Sequence, residues 1–324
     1  MKLKRIIAGL SAAVLFCAGL PALSGCQGTD GKFTIGICES MQHEALATAT
    51  KGFKDALTEL MGDKVTFVEQ NAQGDPATCA TICNQFVSDG VDLIMANATA
   101  ALQAAAAATN KTPILATSIT DYATALSVSD WTGKTGSNIS GTSDLAPLDG
   151  QAQMLNELFP EAKNVGILYC SAEANSLYQV TKIQAMLEAM GYTCKQYTFT
   201  DSNDLQMVVT AAAEASDVIY VPTDNTAASN TGIINSVCQN AKVPVVAGEE
   251  GICKGCGVAT LTISYYDIGY ATGKMAYEIL VNGKNPGDME IETAQNVVKK
   301  YNKANAEALG LVLPEGYEAI ATDE

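Results

Sequence analysis

The sequence predicts an α/β protein of two doubly wound lobes, each a parallel sheet between layers of helices, joined by a hinge. Two observations carry this. Short apolar or β-branched runs alternate with longer stretches whose apolar residues recur at three and four positions, as expected of buried parallel strands joined by helices. The rhythm also occurs twice, at about 33–140 and 160–262, on either side of a strand-poor stretch at 127–147. Once an N-terminal leader of 25 residues is set aside, the remaining 299 fit two such units at roughly 150 residues per domain.

Taken in order, the first strand is expected at 33–38 and the first helix at 43–61, where Leu46, Ala49, Phe53, Ala56, Leu57 and Leu60 share a face until Gly62 stops the helix. Strand 65–69, helix 76–88, strand 91–96, helix 98–109 and strand 113–117 complete the first rhythm. The alanine run 104–108 belongs to its helix, since alanine is the best helix former. The second rhythm has helix 148–158, strand 164–169, helix 174–190, strand 192–199, helix 204–215, strand 217–221, helix 226–240 and strands 243–247 and 258–262. Helix 267–281 follows. No 20–50-residue sequence repeat is present.

The N-terminus has its own signature. Lys2, Lys4 and Arg5 precede an apolar stretch at 6–20 that is too short to span a bilayer. Leu23-Ser24-Gly25-Cys26 then resembles the lipobox of bacterial lipoproteins. In that reading residues 1–25 are a cleaved signal peptide, Cys26 carries lipid, and 26–32 tether a body held outside the cytoplasmic membrane. An ordinary signal peptide followed by an incidental cysteine is the alternative.

Composition excludes several functions. Residues 1–25 hold three of the 19 basic residues and none of the 35 acidic ones, so the mature body carries 16 against 35, a formal charge of −19. Nucleic acid and anionic lipid are poor partners for such a body. Arg5 is the only arginine and His43 the only histidine. No guanidinium fork is therefore left to grip a carboxylate, and neither a histidine-rich zinc site nor more than one histidine-dependent catalytic set can be built. Gly133-Lys134-Thr135 and the stretch Gly269 to Lys274 fail as phosphate loops, and no GxGxxG follows a strand. No cofactor, metal or catalytic residue is expected.

Cys38, Cys79, Cys83, Cys170, Cys194, Cys238, Cys253 and Cys256 remain after the leader and Cys26, and their disulfide state is open among 105 pairings. Cys253-Lys254-Gly255-Cys256 lacks a second CxxC and sits among Gly251, Gly255 and Gly257. It reads as a loop holding a local bridge or free thiols, with metal or redox work the weaker reading. Cys79 and Cys83, one helical turn apart, are expected simply to pack.

In open parallel sheets ligands gather at the carboxyl ends of strands. Those ends here carry small polar chemistry: Cys38 to His43, Asn97-Ala98-Thr99, Thr117-Ser118-Ile119-Thr120-Asp121, Ser171-Ala172-Glu173-Ala174-Asn175-Ser176, Pro222-Thr223-Asp224-Asn225-Thr226 and Gly248-Glu249-Glu250. Two lobes facing each other would line a cleft with both sets, which is clamshell geometry.

The same loops carry a family resemblance. Gln70-Asn71-Ala72-Gln73-Gly74-Asp75, Phe86-Val87-Ser88-Asp89, Ser143-Asp144-Leu145-Ala146-Pro147, Leu168 to Ser176, Tyr220-Val221-Pro222-Thr223-Asp224-Asn225 and Tyr265-Tyr266-Asp267-Ile268-Gly269 stand in unbroken order over about 33–314. Together they resemble the ABC-transporter substrate-binding lipoproteins whose characterised members bind aromatic amino acids. The family usually has a proline where Glu44, Ser171 and Ala100 stand, and Asn where Cys170 stands. The resemblance implies the type I binding-protein layout, with chain crossings near 141–145, 262–266 and 285–291. Lobe 1 would be 33–142 plus 265–285, and lobe 2 143–264 plus 286–324. It further implies a monomer that captures a small amino acid of the aromatic L type and delivers it to an ABC permease.

An amino acid needs an anion site beside a cation site. Without arginine, the carboxylate is expected at a helix N-terminus, at Thr99 or at Asn175-Ser176, where ordinary capping is the competing reading. Asp224 is expected to hold the ammonium, or else to cap the helix after it. Glu249, Glu250 and Asp121 hold comparable strand-end positions. His43 could contact the ligand or cap its helix. Leu102 and Gln103 could touch a side chain, although an inner apolar face explains Leu102 equally well. Asn97, Thr120, Ser143, Asp144, Glu173, Thr223 and Asn225 complete the expected lining. Trp131, in the polar loop 127–137, reads as surface. A surface sensor of the same fold, and a hydrolase using Glu249/Glu250 or Asp121/Asp224 as paired carboxylates, are the alternative functions.

Overall fold

The structure, a computed structural model, describes residues 31–321; the leader and Cys26 lie outside the described residues. The first part of the chain runs β1 (Phe33–Glu39), α1 (Glu44–Met61), β2 (Val65–Asn71), α2 (Pro76–Asp89), β3 (Leu93–Asn97), α3 (Thr99–Ala108), β4 (Ile114–Ile119), α4 (Tyr122–Leu126) and β5 (Ile139–Ser143). The second part has α5 (Leu148–Leu158), β6 (Asn164–Cys170), α6 (Ala174–Ala189), β7 (Thr193–Phe199), α7 (Ser202–Ala215) and β8 (Val218–Val221). It continues through α8 (Asn225–Ser229), α9 (Thr231–Ala241), β9 (Val245–Ala247), α10 (Glu250–Gly255) and β10 (Ala259–Ile263). Last come α11 (Tyr265–Leu280), β11 (Glu292–Thr293), β12 (Val297–Tyr301), α12 (Lys303–Ala308) and β13 (Glu318–Ala319).

The strands form two sheets, a six-stranded one ordered β11-β5-β4-β3-β1-β2 and a seven-stranded one ordered β13-β12-β10-β9-β8-β6-β7. Every ladder is parallel except β10 with β12. Each sheet is covered on both faces, as its apolar strands require. In β1, Ile35 and Ile37 face a core with Phe53, Met95 and Leu115, while Cys38 faces another with Phe86, Ile94 and Leu102. Strand β6 does the same in the second sheet, sending Ile167 and Tyr169 one way and Leu168 and Cys170 the other. Each fully buried side chain of this size contributes roughly 1.5–3 kcal/mol.

Helix α11 returns to the first sheet by lying directly on α1. A Cβ on Gly269 would stand 2.0 Å from the Ala49 carbonyl oxygen, and one on Gly52 2.2 Å from that of Tyr266, so only glycine admits this approach. The chain passes between sheets after β5, after β10 and once more between Thr293 and Val297. That third passage is later than the expected 285–291. Gly287 is pressed against Ser137, the Ile291 N–H donates to the Gly133 carbonyl, and β11 adds to β5, which keeps residues up to 293 on the first sheet.

Other expectations need correction. The strand-poor stretch contains β5, whose Ser140, Gly141 and Thr142 are buried; Gly141 sits so close that a Cβ would lie 1.9 Å from the Ala116 oxygen. Trp131 is half-buried against the first core and stacks on Tyr122 with centroids 6.2 Å apart, so it is not a surface residue. The helix expected at 226–240 breaks at Asn230 into α8 and α9. The glycine-rich stretch 250–255 is helical because Glu249 caps it, accepting from the Gly251 and Ile252 N–H groups. The eight described cysteines are all free thiols, with Cys38, Cys79 and Cys83 together in the first core. Among the described residues no helix is long and apolar enough to cross a membrane.

Candidate functional site

The carboxyl ends of the two sheets face one cavity of about 620 Å³. Its first wall is Ser40, Met41 and Gln42 after β1, Gln73, Gly74 and Pro76 after β2, and Thr99, Ala100 and Gln103 on α3. Opposite stand Cys170, Ala172, Glu173, Ala174 and Asn175, then Thr200, Asp201 and Ser202, then Asn225, Thr226, Ser229 and Asn230. None of these lining residues is Lys or Arg. Positive potential must come from the backbone.

Two helices supply it. Helices α3 and α6 point their first turns at the cavity from opposite walls, and neither has a side-chain cap. Helix α3 is entered through Ala98 at φ 78°, and Ala98 has no side-chain oxygen to cap with. At α6 the residue in the capping position, Glu173, turns its carboxylate away to α8. By contrast Asp75, Asp121, Asp201 and Asp224 cap α2, α4, α7 and α8. Uncapped N–H groups and the helix dipole favour an anion.

Glu173 is the half-buried negative counterpart on this wall. Its Oε1 accepts from the Thr226 N–H at 2.8 Å and hydroxyl at 2.7 Å. Its Oε2 accepts from Asn225 N–H at 3.0 Å, Asn225 Nδ2 at 2.7 Å and Asn175 Nδ2 at 3.0 Å. Asn175 Nδ2 also reaches the Thr223 carbonyl, so it can release Glu173 without losing every partner.

Asp224 behaves differently from its expected role. It is 1% exposed, is absent from the cavity wall, and accepts from Cys170 N–H, the Ser176 hydroxyl and Ala227 N–H. Burial, then the charge of Glu173, pushes its pKa up to about 7, against the three hydrogen bonds that favour the carboxylate. Asp224 with Ser176 holds the wall from behind, and Thr223 is likewise occupied, its carbonyl by Asn175 and Gln179.

His43 Nε2 lies 3.1 Å from Asn225 Oδ1 on the other lobe. Because Asn225 Nδ2 donates to Glu173, its oxygen faces His43, and the imidazole must carry its proton on Nε2. His43 Nδ1 is shielded from solvent and has no partner. Burial lowers the pKa.

The other expected residues divide. Thr99, Gln103, Glu173, Asn175 and Asn225 meet on the cavity. Leu102 is fully buried in the first core, and Asn97 is spent on the Leu46 carbonyl at 2.9 Å and Thr50 Oγ1 at 3.0 Å, so neither lines it. Thr120, Ser143 and Asp144 form a knot at the first crossing, where Asp144 accepts from Thr120 at 3.2 Å and from Tyr265 of the second crossing at 3.0 Å. Burial pushes Asp144 up to about 6. Asp121 caps α4 through the Thr124 N–H. Glu249, pushed up to about 7 by burial, caps α10 beside a separate cavity of about 390 Å³ near the second crossing, which Glu250 also lines. Met41 and Gln42 lie in the expected strand-end segment 38–43, while the lining residues Pro76, Thr200, Asp201, Ser202, Ser229 and Asn230 were missed, although 75–76 and 200–202 follow strand ends as the others do.

Comparison with known proteins gives the family and the fold. A family model described as ABC transporter substrate binding protein matches residues 34–324. A tyrosine-binding protein of Clostridioides difficile is 33% identical over 343 residues, covering 100% of this chain and 98% of that protein. A solved ABC domain in complex with L-Trp from Streptococcus pneumonia shares 32% identity, with a TM-score of 0.85 over 89% of this chain and 100% of that one. A ligand-free, open substrate binding protein with adhesive properties from Clostridium difficile shares 34% identity, with a TM-score of 0.68 over 90% of this chain and 100% of that one.

Proposed function

The chain belongs to the ABC transporter substrate binding protein family, and from that premise we propose that it captures an aromatic L-amino acid between its lobes and presents it to an importer's permease. The observation that carries the ligand class is the pair of uncapped N-termini, α3 and α6, aimed from opposite walls into one cavity without a basic side chain. A carboxylate fits between them. The ammonium then lies toward Glu173, taking the place of Asn175 Nδ2, with Asp224 keeping that wall rigid. Relatives of known ligand, the L-Trp complex and the tyrosine-binding protein, support an aromatic side chain. The fold matches the ligand-bound relative better than the open one at nearly equal identity, in keeping with a closed cleft.

Substrate-binding proteins of ABC importers work outside the cytoplasmic membrane, and lipid on Cys26 would hold this one there as a monomer. The hydrolase alternative loses support, because Asp121, Asp224 and Glu249 are each engaged as helix caps and the matched relatives are binding proteins. The test is thermal melting with L-tyrosine, L-tryptophan and L-phenylalanine. A ligand that binds only the folded state adds RT ln(1 + [L]/Kd), about 2.7 kcal/mol at a hundredfold excess over Kd. A rise in Tm with these three and not with sugars is expected; no shift with any amino acid at millimolar concentration refutes the assignment.

A further inference from the structure

We propose that His43 is a positioning residue that latches the closed cleft, donating from Nε2 to Asn225 across it, so that closure requires the neutral imidazole. The inference rests on the reading above that capture closes the lobes.

Beside the packing of Ala45 against Ile263, polar contacts join the start of α1 to the second lobe. His43 meets Asn225, the Ser229 hydroxyl donates to the Gln42 carbonyl at 3.3 Å, and Lys254 pairs with Glu44 at 3.0 Å. The other two are exposed; only the first is part-buried, with the ring's Nδ1 shielded from solvent. Asn225 cannot rotate freely, because its amide nitrogen is held 2.7 Å from Glu173, which is itself on the cavity wall. The acceptor facing His43 is thus set by the same carboxylate that faces the ligand. One proton, on Nε2, satisfies the contact. A second would sit on Nδ1, shielded from water and without an acceptor, and would add a charge there.

Parting the lobes removes Asn225 and gives the ring to water, so the open form binds that proton more readily. Other charged groups face the ring. Glu39 from β1 and Glu173 from the loop before α6 favour protonation, and Glu44 on the ring's own helix is paired with Lys254 of α10, yet burial outweighs them. The sign follows: a group whose closed-form pKa is lowered favours closure at high pH, and closure weakens as pH falls through the open-form pKa, near 6.5 for a solvated histidine.

His43 is the only histidine, so imidazole nitrogen NMR reports on it without assignment. With saturating L-tyrosine at pH 7.5 the Nε2–H tautomer is expected. Titrated by calorimetry from pH 7.5 to 5.5, wild-type affinity should fall by up to about tenfold, the ratio given by one group of pKa 6.5. His43→Gln, which keeps a donor and cannot titrate, should show a clearly shallower profile than wild type, its remaining slope that of Asp224, and His43→Ala should lose roughly two- to tenfold at pH 7.5, the worth of one hydrogen bond. An Nδ1–H tautomer, a His43→Gln profile as steep as wild type, or no loss in His43→Ala overturns the latch. Should no aromatic amino acid bind at any pH, the ligand assignment falls while the latch is decided in the free protein. A scattering radius that grows from pH 7.5 to 5.5 in wild type and not in His43→Gln supports it, and equal behaviour overturns it.

Discussion

Glu173→Gln replaces the carboxylate facing the cavity with an amide of the same shape. Five donors converge on Glu173, two at Oε1 and three at Oε2. A glutamine that puts its oxygen at the Oε2 side turns an NH2 toward the Thr226 N–H and hydroxyl, and the opposite orientation opposes three donors. An unsatisfied buried donor costs roughly 1–3 kcal/mol. Here the side chain is only half-buried and the donors from Asn175 and Asn225 side chains can turn, so the free protein should lose about 1–2 kcal/mol by the same measure. Binding a zwitterion suffers more. Removing one partner of a desolvated, hydrogen-bonded charge pair costs roughly 2–5 kcal/mol, which is about 30-fold to several thousand-fold in Kd. Calorimetry with L-tyrosine and with its deaminated acid separates the two effects, because the acid brings a carboxylate to α3 and α6 and no ammonium to Glu173. The amino acid should lose at least tenfold more affinity than the acid. Equal losses for both ligands would refute this placement of the ammonium.

Asp224→Asn should weaken the amino acid and the deaminated acid alike, by roughly tenfold, because it acts through the wall: asparagine caps α8 well but cannot also serve Cys170 and Ser176. A loss confined to the amino acid would return the ammonium to Asp224. The three buried carboxylates Asp144, Asp224 and Glu249, pushed up to about 6, 7 and 7, bind protons more tightly folded than unfolded. Their contribution is therefore full below about pH 4 and is lost as pH rises through about 7. Urea unfolding should give greater stability at pH 5 than at pH 8, with a smaller difference in Asp224→Asn; stability that climbs with pH over this range contradicts it. Cys26→Ala should move the protein from the membrane to the soluble fraction with ligand binding intact, and undiminished retention would exclude the lipid anchor.

The parts of the fold that the sequence shows are those where burial and period coincide. Strands β1, β3, β6 and β8 are mostly apolar, with their polar residues at or near the strand ends, and α1 keeps its stripe for 18 residues, so these were expected within a residue or two. Strand β5 was hidden because its sequence, ISGTS, is polar and small. It is buried for a packing reason, the close approach of Gly141 to β4 and Tyr122, which no local pattern announces. Helix α10 was hidden by its glycines, and what makes it helical is Glu249 just before it. Strand β12, with two lysines in VVKKY, is only half-buried because its antiparallel pairing puts it toward the rim of the second sheet, where apolar alternation is weak.

The site was legible as a place and much less as a set of roles. Thr99, Asn175 and Asp224 all stand at strand-to-helix turns and are all residues that cap helices, so from the sequence each reads equally as cap or ligand contact. Geometry separates them by what else competes for the orphan N–H groups. Asp224 has a helix within reach and two further donors behind it, and it turns inward. Glu173 precedes α6 but satisfies α8, which leaves α6 open; Ala98 precedes α3 with a side chain that cannot accept a hydrogen bond at all. Where four neighbouring helices close their own first turns with aspartates, these two leave theirs to the cavity, one from each lobe. A single open turn would bind an anion whether or not the lobes were together. Two, on opposite walls, would make an anion's affinity depend on the lobes meeting around it, and an arginine-free body would then obtain from closure the positive potential that a guanidinium would have carried on one lobe alone.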